Sequence, residues 1–121
     1  MTSFRDFYYT TAHCEIWAGK DAEAAGNTED TIYFARKACF FAISCWLEYH
    51  DIDGGDESIE SYLQYASKYP SLSPDIRDAL KRLLETDEYS KEKAHNIHPL
   101  DDAEKIIEYF LDKKNLYARD K

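Results

Sequence analysis

At 121 residues, with 44% hydrophobic and 32% charged side chains, the chain can bury one core and solvate its outside, which excludes intrinsic disorder and predicts a single domain over residues 1–121. Only 4 Gly and 3 Pro are available for tight turns, so a hairpin-rich sandwich or barrel is excluded and helices are favoured. The 24 acids against 15 bases leave a net charge of −9, which repels phosphate backbones and anionic lipid and argues against direct nucleic-acid binding.

Thr2 or Ser3 caps a first helix, along which Phe4, Phe7, Tyr8, Thr11, Cys14, Ala18, Ala22 and Ala25 recur at helical steps and are expected to form its buried face. Gly26 and Asn27 interrupt the pattern. Asn27 or Thr28 then caps a second helix with Glu29 and Asp30 in its first turn, where the helix dipole favours acids. Its inner stripe is Ile32, Ala35, Ala38, Cys39, Ala42, Cys45, Trp46 and Tyr49, and Phe34, Phe41, Ile43 and Leu47 extend the apolar surface around most of the circumference. Such a helix belongs at the centre of a bundle or against a second subunit, and a homodimer is expected on that ground.

A turn from Asp51 to Glu57 leads to a third helix, capped by Asp56 or Ser58, with Ile59, Tyr62, Leu63, Ala66 and Tyr69 on one face and Pro70 ending it. Ser73 before Pro74 starts a fourth helix, which Ile76, Ala79, Leu80, Leu83 and Leu84 carry to about Thr86. Asp87 to Pro99 is polar, lacks a period and reads as a loop. Asp101 and Glu104 have capping-box spacing and open a fifth helix through Ile106, Ile107, Phe110 and Leu111 to about Lys114. The fold class is therefore all-α, an antiparallel four- to five-helix bundle.

The apolar stretch from Ala38 to Leu47 is about half the length of a bilayer crossing, so no membrane span is expected. An odd number of cysteines, Cys14, Cys39 and Cys45, with no basic N-terminal segment leading into an apolar run, predicts a cytoplasmic protein with reduced thiols packed as small apolar groups. No cofactor is expected.

Chemistry-bearing patterns are sparse. Asp51, Asp53 and Asp56 miss the register of a calcium loop, which would need its glycine at Asp56 and its bidentate glutamate at Tyr62. His95 and His98, followed by Asp101 and Asp102, lack a nearby Cys, and Pro99 breaks their helical presentation, so no metal site is predicted. His13, Cys14 and Glu15 are adjacent on a helix and point about 100° apart, which is no nucleophile–base arrangement. The strongest signal is charge asymmetry. Between Ala38 and Ser67 there is no Lys or Arg, while Glu48, Asp51, Asp53, Asp56, Glu57 and Glu60 all fall there, marking a docking surface for a protein partner with a basic face. Ten tyrosines in so short a chain fit an interaction surface.

The aromatic- and alanine-rich segment from Ile32 to Ile52 resembles the second helix of HEPN domains. A long helix ending near Gly26 precedes it, and the stretch around Tyr89 followed by a helix opening at Leu100 to Glu104 continues the likeness, over residues 3 to 112 in all. The resemblance implies a helical bundle that pairs. HEPN ribonucleases carry an Arg followed by a polar residue and then a His four to six positions beyond the Arg. Here Arg77 and Asp78 begin the motif, but no His stands between Lys81 and Leu84, and Arg82 is not followed by one until His95. No catalytic residue is therefore assigned; Arg82 as charge stabiliser with His95 or His98 as base are the weak candidates. What the resemblance implies is a non-catalytic partner subunit of the kind found in toxin–antitoxin or defence modules. The competing expectations are an acidic immunity or anti-defence inhibitor that fills the cationic groove of a nucleic-acid enzyme, and a divergent HEPN ribonuclease.

Overall fold

The computed structural model describes residues 4–53, 57–85 and 98–117. It is all-α. Among these residues six helices follow one another, α1 (Phe4–Ala24), α2 (Thr28–Tyr49), α3 (Ile59–Ser67), α4 (Pro74–Glu85), α5 (Pro99–Leu111) and the single turn α6 (Lys113–Leu116), and no strand occurs. Of the polar stretch read as a loop, Asp87 to Pro99, residues 87–97 lie outside the described ones, and Pro99 at its end belongs to α5 instead.

Two helix ends are built alike. After α1 the amide of Asn27 donates to Ala22 O and that of Gly26 to Glu23 O, with Gly26 in the left-handed region at φ 76°. After α2 the amide of Ile52 donates to Leu47 O and that of Asp51 to Glu48 O, and here Asp51 takes the left-handed position at φ 54°. Both are Schellman closures, which satisfy terminal carbonyls and turn the chain sharply. Asn27 then caps α2 by accepting from the Asp30 amide at 3.1 Å, and Ser58 caps α3 by accepting from the Ser61 amide at 3.1 Å.

The α1–α2 hairpin is antiparallel, since Tyr8 meets Glu48 and Glu15 meets Lys37. Helix α2 lies at the centre and packs on α1, α3, α4 and α5. Ala35, Ala38, Cys39, Ala42, Ile43 and Cys45 are sealed from solvent, together with Leu63, Leu80, Leu83, Ile106, Ile107 and Phe110 from the surrounding helices. Each large side chain so buried contributes about 1.5–3 kcal/mol.

The expected inner face of α1 is corrected. None of Phe4, Phe7, Tyr8, Thr11, Cys14, Ala18, Ala22 and Ala25 is fully buried; the residues that enter the core are Ala12, Ile16 and Gly19. Helices approach closely where side chains are small, and a Cβ added at Gly19 would lie 2.5 Å from Leu100 Cδ2. The buried face thus carries two small residues and one isoleucine in place of the rings. Phe7 at 61% exposure and Trp17 at 68% are left outside.

Helix α5 also starts earlier than its capping-box spacing predicts. Pro99 occupies the first turn with its φ already helical and no amide to satisfy, and Asp102 turns inward to Arg82 rather than serving the helix end. The same helix stops at Leu111, before Lys114, because Asp112 adopts an extended backbone and caps α6 by accepting from the Lys114 amide at 2.8 Å.

Arginines tie the helix ends together. Arg5 Nε donates to Leu111 O at the end of α5, Arg36 to Leu83 O and Leu84 O at the end of α4, and Arg77 to Ser67 O and Tyr69 O at the end of α3. A cation at a helix C-terminus meets both an unsatisfied carbonyl and the negative end of the dipole. His50 plays the corresponding part for α6, its Nε2–H donating to Leu116 O at 2.7 Å.

Candidate functional site

The acidic run sits where α2 ends and α3 begins. Glu48, Asp51, Asp53, Glu57 and Glu60 are all exposed, and Asp56 lies outside the described residues. Glu48 closes the last turn of α2, Asp51 occupies the left-handed corner, and Glu57 and Glu60 flank the cap of α3.

Two tyrosines feel these charges. The Tyr62 hydroxyl is pushed above its ordinary pKa by burial and then by the charges of Glu57, Asp53 and Glu48. Tyr8, reaching over from α1, donates its hydroxyl to Glu48 Oε2. Its pKa is raised by burial first and by that hydrogen bond second. Glu60 belongs to a neighbouring cleft of about 240 Å³ between α2, α3 and α4, lined also by Tyr33, Arg36 and Leu84, and its Oε1 accepts from Gln64 Nε2 at 3.3 Å.

Aromatic rings border the carboxylates. Phe40 stacks on Tyr62 with centroids 5.0 Å apart and planes at 28°, while Phe4 and Phe7 pack edge-on against Tyr8 at 5.2 and 5.5 Å. Phe4 and Phe7 are themselves exposed. The result is an apolar, ring-bearing patch rimmed by negative charge, the composition that anchors a basic partner: rings supply the desolvated centre, and carboxylates supply orientation and encounter rate. Sequence reasoning identified the acids but missed Phe4, Phe7, Tyr8 and Tyr62 as members, because it assigned α1's rings to the core.

Of the catalytic candidates, Arg82 and His98 are described, and each has its own surroundings. Arg82 is engaged by Asp102, with Nε to Oδ2 at 2.9 Å and Nη2 to Oδ1 at 2.8 Å, and these bonds hold the guanidinium even further above its usual pKa. His98 is exposed at the N-cap of α5, where its carbonyl accepts from the Asp102 amide and its side chain makes no cap bond. His95 lies outside the described residues.

His13, Cys14 and Glu15 diverge as their adjacency predicts. His13 Nε2 stands 3.7 Å from Glu108 on α5, Glu15 pairs with Lys37 on α2 at 3.4 Å, and Cys14 faces solvent. That last placement corrects the expectation of three buried thiols; Cys39 and Cys45 are buried. Among the described residues no three His, Cys, Asp or Glu side chains gather as a metal site, and no helix is long and apolar enough to cross a membrane.

Comparison with protein-family models, with curated proteins and with solved structures found no match.

Proposed function

We propose that this protein is a non-catalytic helical bundle that binds a protein partner with a basic surface, in the manner of the HEPN-like partner subunits of toxin–antitoxin or defence modules. The observation that carries the reading is the run of exposed carboxylates Glu48, Asp53 and Glu57 where α2 ends and α3 begins, with Glu48 accepting from Tyr8, on which the exposed rings of Phe4 and Phe7 pack. Such a surface is costly to leave apolar and wet, and useful only where something covers it. The engagement of Arg82 by Asp102 favours the non-catalytic form over a divergent ribonuclease, because a guanidinium held in a fork is not free to meet a developing phosphorane charge.

Self-pairing belongs to the same reading. The outward stretch of α1 around Cys14 and Trp17 carries apolar surface with little charge, since Glu15 is paired with Lys37 and Lys20 with Glu104. Two copies meeting there would cover it without bringing their acidic ends together.

The test is capture from a host lysate at low salt by the tagged protein and by its Glu48→Lys/Glu57→Lys variant. A basic protein retained by the first and lost by the second supports the reading; equal retention by both overturns it. Whether the captured protein has a nucleic-acid groove that this chain occupies separates an acidic inhibitor from a companion subunit.

A further inference from the structure

On another flank, a cavity of about 210 Å³ opens between α2, α5, α6 and the α3–α4 connection. It is lined by Trp46 and Phe110, both nearly buried, and by the half-buried Tyr69 and Tyr109. The rings brace one another: Trp46 meets Tyr69 edge-on at 4.8 Å and 87°, and Phe110 at 5.3 Å and 62°. Two polar side chains that line it are committed to backbone, His50 donating to Leu116 O at 2.7 Å and Asn115 Nδ2 to Tyr109 O at 2.9 Å. Those bonds hold α6 against the opening, so the walls are formed before anything enters.

The volume selects the occupant's size. A cavity of about 150 Å³ takes a benzene ring, and metabolite pockets start near roughly 300 Å³, so this one fits a single long side chain. Its surroundings select the charge. Tyr109 is shared with an open trough of about 580 Å³ along α4 and α5, lined by the carboxylates of Asp75, Asp101, Glu104 and Glu108 and the ammonium of Lys105, with Glu104 also paired to Lys20. Aromatic faces attract cations, a planar guanidinium stacks on them, and a negative trough at the mouth extends the attraction to neighbouring residues of the same segment.

We propose that this pocket receives one arginine side chain of a basic peptide segment, whose flanking cations lie along the Asp75–Asp101–Glu108 trough. The site shares no residue with the α2–α3 docking surface and stands or falls independently of it.

The experiment uses the full chain carrying Trp17→Phe, which makes Trp46 the sole tryptophan. Its emission is titrated with acetyl-Gly-Arg-Gly-Arg-Gly-amide and with the same peptide carrying citrulline for arginine, which keeps the shape and removes the charge. The arginine peptide should give a saturable change. Binding should weaken at least tenfold for the citrulline peptide, at least fivefold at 0.5 M NaCl, and at least tenfold in either Tyr109→Leu or Asp75→Lys/Asp101→Lys. Reversing Asp21 and Glu23, exposed near the end of α1, should change it less than twofold. Equal binding of the two peptides, loss of binding on the Asp21/Glu23 reversal as large as on the Asp75/Asp101 one, or no saturable change up to 10 mM peptide each overturns the proposal. Because the trough reversals alter only exposed carboxylates, they decide between these outcomes even if Tyr109→Leu fails to fold.

Discussion

The guanidinium of Arg82 on α4 faces the carboxylate of Asp102 on α5 through two hydrogen bonds, and of the two side chains only the aspartate is withdrawn from water, at 9% exposure against 45%. The pair therefore joins a surface cation to a nearly buried anion. Removing the cation leaves that anion unpartnered, so Arg82→Leu should lower stability by about 1–3 kcal/mol, with the outward half of the guanidinium keeping the loss below that of a fully buried pair. Arg82→Leu/Asp102→Leu should recover part of the loss, because replacing both partners is closer to neutral. Urea denaturation of the two single variants and the double variant measures this, and singles that sum to the double would show that the pair is not coupled.

The centre of the bundle should be intolerant of bulk. Ala42 is fully buried on the helix that touches four others, so Ala42→Trp overpacks it and should cost about 1–3 kcal/mol. An unchanged melting temperature would contradict the close packing described for α2.

Stability should fall in alkali. Burial, then the charge of Glu48, pushes the Cys45 thiol up to about 12, and burial raises Cys39 as well. In the unfolded chain these thiols titrate near roughly 8.5. Their contribution is therefore whole below that pH and is lost as the pH rises toward 12, where the unfolded chain has released protons that the native chain still holds, at up to about 1.4 kcal/mol per pH unit per thiol. Denaturant curves at pH 8, 9 and 10 should show the decline, and Cys45→Ala should flatten it. In parallel a thiol reagent should modify Cys14 at once, and Cys39 and Cys45 only on unfolding.

Asp51 offers a gain. It holds a left-handed corner that glycine adopts without strain, so Asp51→Gly should raise stability by about 0.5–1 kcal/mol while removing one charge from the acidic end. A loss of stability would mean that the aspartate side chain holds the turn.

At the acidic end, Glu48→Lys/Glu57→Lys should slow association with the proposed basic partner and flatten its salt dependence, since rim charges act on encounter rate. Reversal of Asp21 and Glu23 is the control, and an equal effect there would mean net charge alone. The pairing of copies is checked by light scattering at micromolar concentration: a dimer mass is expected, and Trp17→Ser should return the monomer.

Much of this was legible in the chain because helix breaks are local chemistry. Asn27, Ser58, Gly26 and Pro74 each act within a few residues of themselves, and each marks an element boundary where its side chain or backbone predicts one. What a helix turns inward is decided by its neighbours. For α2, apolar around most of its circumference, either face would have pointed at something greasy, and of the predicted stripe Ala35, Ala38, Cys39, Ala42, Cys45 and Trp46 are inside, while Ile32 near one end is half-buried and Tyr49 at the other is exposed. For α1 the choice lay between a face of large rings and a face of small residues, and hydropathy favours the rings. The fit of Gly19 against Leu100, eighty-one positions away in sequence, decides otherwise, and no local pattern encodes it. The acids of the candidate site were visible as a run without bases; the rings beside them were not, for the same reason.

The arginines at the helix ends carry a consequence for what the outside of the molecule can recognise. All four described guanidinium groups, at Arg5, Arg36, Arg77 and Arg82, are spent on carbonyls or on Asp102. The forked donors best shaped to clasp an oxyanion from two sides have thus become fasteners of the architecture. The cations that remain on the described surface are lysine ammonium groups, which attract an anion without fixing its orientation. Placement counts here as much as the excess of acids: adding a few lysines would change the net charge, yet it would not give the surface a forked, oriented grip on phosphate.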